Sequence, residues 1–202
     1  MQMDSTIFLD KYCQRIDWRK MLNRWAAAPD FLAFVGQFIF ERKPKVIVEC
    51  SSGLSTLVIA SCLKEREAET LFISLEHKYD YYKKINVLLR EYELSKYTSV
   101  YYAPLTEFRI GNQCWNWYDW EHFGSSPIEL VVIDGPPGHT APMARYPVLP
   151  LLWGKLSDDA ILLLDDGKRQ DERFIVQRWE QEFDVTSELL PHERGTFVLR
   201  LS

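Results

Sequence analysis

The chain has 202 residues, 47% hydrophobic and 26% charged, which suits one packed α/β domain with at most a small appendage. That composition excludes a disordered or collagen-like chain. A formal charge of -5 argues against non-specific nucleic-acid binding, which needs a basic face.

Residues 1–43 read as helices. The first residues carry no basic-then-apolar leader pattern, and no apolar run reaches the ~18 residues of a membrane span. Cys13, Cys50, Cys62 and Cys114 form no CxxC pair and no zinc spacing with the four histidines, so they read as reduced thiols. The expectation is a soluble cytoplasmic protein with no membrane partner. Trp18 to Ala28 is one helix candidate. Phe31, Phe34, Val35 and Phe38 fall at i, i+3, i+4 and i+7 of another, with Asp30 as its expected N-cap. Lys43-Pro44 ends the pattern. The boundary predicts a helical cap over 1–43 and a main domain over 44–202.

From Lys45 the pattern changes to short apolar runs at 46–48, 71–75, 100–102, 130–133 and 160–164. Runs without polar alternation suit strands buried on both faces. Helical stretches at 54–66, 79–95, 141–153 and 170–182 separate most of them. Alternation of this kind predicts a doubly wound α/β sheet. Residues 184–189 and 196–201 are two further strand candidates. The link between them, Leu190 to Gly195, is too short for a helical crossover, so this pair must be antiparallel. The expected fold is a seven-stranded, mostly parallel, Rossmann-like sheet ending in an antiparallel hairpin.

The first strand runs through Glu49-Cys50-Ser51-Ser52-Gly53-Leu54-Ser55-Thr56 into a helix. Small residues there let a ligand approach the backbone, and the helix start offers free N–H groups. Glu76 ends the second strand, where a carboxylate can accept hydrogen bonds from both ribose hydroxyls of an adenosine ligand. A pyrophosphate would favour GxGxxG, which is absent, and would be repelled by Glu49. A cationic amino acid with a sulfonium suits that acid better. The alternative is an ordinary tight strand–helix turn with a surface glutamate.

These segments resemble class I S-adenosylmethionine-dependent methyltransferases. Glu49 to Thr56 is similar to the family's first motif, in its E-x-G-S-G-x-S-T variant, with Ser51 standing where the family usually carries Gly. Glu76 is similar to the second-strand acid, and Asp134-Gly135-Pro136-Pro137-Gly138 to the motif after the fourth strand. The resemblance spans roughly 45–202. It implies that Glu49, Ser51, Ser52, Gly53, Ser55 and Thr56 surround the methionine portion of S-adenosylmethionine and Glu76 its ribose. His77 would lie near the ribose or adenine, and Ala103, Pro104 and Leu105 by the adenine. Asp134 would border the cofactor as well.

Asp134 ends the fourth run, and Asp165 and Asp166 end the fifth. Carboxylates on adjacent strand ends, ~4.8 Å apart, need protons, basic partners or a cation. Their placement is similar to that in cation-dependent O-methyltransferases, where Mg²⁺ binds the acceptor hydroxyl and lowers its pKa. Asp134 and His139 are then the catalytic candidates, His139 as general base in place of a Lys that the family carries where Pro137 stands. The competing reading makes 165–169 a helix-capping turn whose acids pair with Lys168, Arg169 or Arg173. Asp134 to Gly138, with Asp165, Asp166 and Arg169, also resembles the glucuronoxylan-type sugar O-methyltransferases. The implied partners are a small-molecule or saccharide acceptor, with a homo-oligomer left open.

Cys114 to Trp120, followed by Phe123, is an aromatic segment that either packs a flap or helix onto the sheet or stacks on an acceptor. The competing functions are an NAD-dependent oxidoreductase, against which the missing GxGxxG speaks, and a non-catalytic binding protein of the same fold.

Overall fold

The computed structural model describes residues 3–121 and 124–202, so Phe123 lies outside the described residues. The chain begins with helices α1 (Ser5–Tyr12), α2 (Trp18–Met21) and α3 (Pro29–Arg42). Strand β1 (Val46–Cys50), helix α4 (Leu54–Glu65), β2 (Leu71–Glu76), α5 (Tyr79–Glu91) and β3 (Ser99–Tyr102) follow. Next come β4 (Leu105–Ile110), β5 (Gln113–Tyr118), β6 (Ile128–Ile133), α6 (Val148–Leu152) and β7 (Leu156–Leu164), then α7 (Gln170–Glu182), β8 (Val185–Leu190) and β9 (Thr196–Leu201).

The main sheet has seven strands in the order β3-β2-β1-β6-β7-β9-β8. β3 through β7 in that order are parallel, while β9 runs antiparallel to both β7 and β8. The terminal hairpin is therefore part of the sheet, as its short link requires. The chain travels outward from β1 to β3, then returns to lay β6 on the other side of β1. This reversal opens a crevice at the carboxyl ends of β1 and β6, where α/β sheets bind ligands.

Alternate strand residues feed two cores. Ile47, Val132 and Leu163 pack with Phe31, Leu32 and Leu57 of the α1–α3–α4–α5 layer. Val48, Val131 and Leu162 pack with Trp117, Tyr146 and Trp179 in the opposite layer. α3 thus shares a core with the sheet helices.

Three expectations need correction, and of the two readings of the aromatic segment the packing one agrees with the structure. The helix over 18–28 is one turn, α2, followed by an irregular segment. Asp30 does not cap α3; Ala28 does, because Pro29 fills the first helical position, where a missing N–H does no harm. The helix over 141–153 shrinks to α6 and a 3₁₀ turn, since Pro142 and Pro147 punctuate its first half. Much of the aromatic segment is the second strand of a separate antiparallel hairpin, β4–β5, with Trp117 and Tyr118 buried. Among the described residues no helix is long and apolar enough to cross a membrane.

Candidate active site

A cavity of about 840 Å³ opens at the carboxyl ends of the central strands. Its wall includes Ser51, Ser52, Gly53, Ser55, Glu76, His77, Asp134, His139 and Asp166. The sequence-predicted residues thus converge, with exceptions. Glu49, Thr56 and Asp165 are buried just behind this lining. Pro104 and Leu105 do not line the cavity, because the chain turns there into β4 and Pro104 O instead accepts the Asp119 N–H at 2.9 Å. Ala103 is buried in the core.

The turn after β1 has two unusual points. Ser51 has φ of 95°, a region that favours glycine and strains a serine. Its side chain fits because Gly135 lacks one: a Cβ there would lie 2.6 Å from Ser51 Cβ and 2.7 Å from the Tyr118 hydroxyl. Gly53 then opens α4, and a Cβ at Gly53 would meet nothing within 4 Å. The α4 N-terminus, with its unpaired N–H groups, therefore faces open space.

Glu76 is held from three sides. Its Oε2 accepts from Ser52 Oγ at 2.8 Å and Ser52 N at 3.3 Å, and its Oε1 accepts from Lys78 N at 2.8 Å. His77 Nδ1 lies 3.3 Å from Glu76 Oε1, yet neither ring nitrogen makes a hydrogen bond among the described residues. Burial lowers the His77 pKa against the pull of Glu76, which keeps the ring neutral. Both ring nitrogens are buried and unpartnered among the described residues, which leaves a donor and an acceptor unused beside the cavity.

Glu49 lies beneath the turn. Its Oε2 accepts from Thr56 Oγ1 and Ser74 Oγ, both at 2.6 Å, while Oε1 has no partner among the described residues. Burial pushes its pKa up to about 7, despite hydrogen bonds from Ser55, Ser74 and Thr56. The folded state therefore binds a proton that the unfolded chain releases at its model value of 4.5. Stability from this group is complete below that value and is lost as pH rises through about 7. Glu49→Gln is expected to flatten this part of the profile, removing a decline of up to about 3 kcal/mol. Thermal melts of both proteins between pH 4 and 8 check this, and an unchanged profile would show that Glu49 does not titrate there.

The opposite wall is an acid cluster around a buried guanidinium. Asp134, Asp165 and Asp166 each bring a carboxylate oxygen within 4.8 Å of the others. Arg145, with a side chain 3% exposed, donates to the carbonyls of Asp134 at 2.9 Å and Asp165 at 3.0 Å. It also meets Asp166 Oδ2 at 2.9 Å, Glu172 Oε1 at 3.4 Å and Asp134 Oδ1 at 3.5 Å. Arg169 reaches Asp166 from the rim at 2.8 Å, one of the pairings the capping-turn reading anticipates. Acids still exceed bases. Burial and the neighbouring acids lift Asp165 to about 8; burial lifts Asp134 to about 7 although Arg145 opposes it. Asp165 Oδ2 has no partner among the described residues. The cluster can therefore accept protons or a further cation. Arg145 was not anticipated; the faint signal was the surplus of strand-end acids, which calls for a buried base from somewhere.

His139 stands at the mouth, its ring 5.6 Å from that of Trp25, which is 52% exposed.

The sequence profile of a family described as methyltransferase domain matches residues 48–167. No curated protein sequence matches the chain. Several solved structures do. A Podospora anserina methyltransferase bound to S-adenosylhomocysteine superposes with a TM-score of 0.66 at 13% identity, over 98% of this chain and 87% of that one. A Bacillus cereus O-methyltransferase in complex with S-adenosylhomocysteine gives 0.66 at 14%, over 99% and 92%. The Streptomyces achromogenes O-methyltransferase TomG, involved in tomaymycin synthesis and in complex with S-adenosylmethionine, gives 0.64 at 13%, over 100% and 91%. At such identities the likeness speaks for the fold: a Rossmann-like sheet with an antiparallel end.

Proposed function

The chain belongs to the methyltransferase-domain family, and on that premise we propose that it transfers a methyl group from S-adenosylmethionine to a hydroxyl of a small-molecule or saccharide acceptor. The observation that carries this reading is the polarity of one cavity. At one end Glu76, an unpartnered neutral His77 and the open α4 N-terminus suit a nucleoside and a carboxylate. At the other, surplus acids suit a cation.

The residues present fit the cofactor, whose sulfonium supplies an electrophilic methyl group when bound. Glu76 would hold the ribose hydroxyls, and the open N-terminus of α4 would hold the methionine carboxylate. Glu49, from beneath, favours the cationic amino group through the turn.

Asp134 borders both the cofactor and the acceptor, and it holds the acceptor hydroxyl facing the methyl group. His139 takes the hydroxyl proton. A divalent cation fits the donor set Asp134, Asp165 and Asp166, whose excess of charge Arg145 alone does not balance; bound there, it would lower the pKa of the acceptor hydroxyl. Trp25 and the α2–α3 segment form part of the cavity wall at its mouth.

Calorimetry with S-adenosylhomocysteine tests the reading. Micromolar binding is expected, and Glu76→Ala should weaken it by about tenfold or more, the worth of a lost charge-assisted hydrogen bond. No binding of S-adenosylhomocysteine at about 1 mM would overturn it.

A further inference from the structure

Charge is divided across this cavity in a way that cofactor binding does not require. Its acids lie at the strand ends. The cations Arg24, Lys78, Lys84 and Arg194 also face it, and none of these four has a carboxylate partner within ion-pair distance among the described residues. Other cations nearby are already paired: Lys20 with Asp17, and Arg169 with Asp166.

The four come from separate elements. Arg24 lies in the α2–α3 segment, with its guanidinium 4.6 Å over the Trp25 ring. Lys78 and Lys84 come from the start and middle of α5. Arg194 belongs to the β8–β9 turn and lies close enough to Asp134 to oppose the rise in its pKa. Beside Arg24, the half-exposed Trp25 lies against His139 and offers a flat apolar face at the mouth. A half-exposed aromatic ring next to His139 and beside Arg24, in a cavity that three further cations line, is a subsite for a ring that carries an anion.

We propose that the acceptor is an anionic small molecule, a hydroxyl compound whose ring stacks on Trp25 and whose carboxylate or phosphate is held by Arg24 and the facing bases. This inference rests on the methyltransferase reading and names the substrate class of the same site.

The test measures binding of matched probes to the full chain, with and without saturating S-adenosylhomocysteine. The pairs are protocatechuate against its amide, and inositol monophosphate against inositol; the first reads a carboxylate and the second a phosphate. In at least one pair the anionic member should bind about tenfold tighter or better, as charge-assisted hydrogen bonds predict. The gap should narrow as salt is raised from about 0.05 to 0.5 M. It should also collapse in Arg24→Gln combined with Lys84→Gln, with the affinity for S-adenosylhomocysteine reporting that the fold is intact. Three results would overturn the inference: charged and neutral members binding alike in both pairs, no anionic probe binding up to about 10 mM, or a gap that survives the double variant. Failure of S-adenosylhomocysteine itself to bind would count against the methyltransferase reading instead, and the probe comparison without it still decides the anion preference.

Discussion

Replacing Arg145 with methionine is expected to lower stability by about 3–5 kcal/mol, the usual consequence of removing one partner from a buried ionic cluster. The guanidinium is the base that reaches Asp134, Asp166 and Glu172 together, and it satisfies the carbonyls of Pro136, Asp134 and Asp165 as well. Methionine fills similar space but leaves those acids facing each other in a buried site. The variant must then take up protons to fold. Its acids, already lifted in the native protein, rise further, so the folded state binds more protons than the unfolded one across the neutral range. The deficit should therefore be largest near pH 8 and shrink as pH falls toward 5. Arg145→Lys keeps the charge without the planar fork and should fall between the two. Chemical denaturation at both pH values measures this. Equal stability of the methionine variant and the native protein would show that the acids are balanced by something other than Arg145.

Arg145 also marks the limit of what the sequence made legible. The parallel strands were readable because each is a short apolar run, and both faces of β1, β6 and much of β7 are indeed buried. The antiparallel end followed from a link too short to cross the sheet. Glu76 and Asp134 were readable as candidates for the cavity wall because each ends such a run. Arg145 was not, since it lies in an irregular stretch between Pro142 and Pro147 and one arginine among many reads as surface. Only the folded chain brings it to the acids, 11 residues from Asp134 and 21 from Asp166.

The β4–β5 hairpin was missed for a different reason. Its aromatic residues drew attention to packing, but the turn signal was present: Gly111-Asn112 separates two runs of alternating character. Gly111 has φ of 59°, which that tight turn needs. The hairpin contributes Tyr118, whose hydroxyl lies against the Ser51–Gly135 contact. Pro104 and Leu105, expected by the adenine, serve instead to start this hairpin. Glu49 lies near the end of β1, buried beneath the turn and outside the cavity lining.

Asp134→Asn is expected to reduce methyl transfer by about two to four orders of magnitude while the protein remains folded, because the amide keeps the shape and removes the charge. The native Asp134 pKa is lifted to about 7, first by burial, so its carboxylate form grows as pH rises through neutrality. The rate should rise over the same range, and this limb should vanish in the variant. Chelation separates the two forms of the mechanism. If a divalent cation is held by Asp134, Asp165 and Asp166, excess EDTA should abolish transfer and Mg²⁺ or Mn²⁺ should restore it. Full activity in excess EDTA would instead leave Asp134 and His139 to handle the proton unaided, with Arg145 as the internal counter-charge of the cluster. In that case the family assignment stands and the cation is dropped. Retention of native rates by Asp134→Asn, with or without metal, would remove the residue from the chemistry altogether and would make the acid cluster a structural device closed by Arg145.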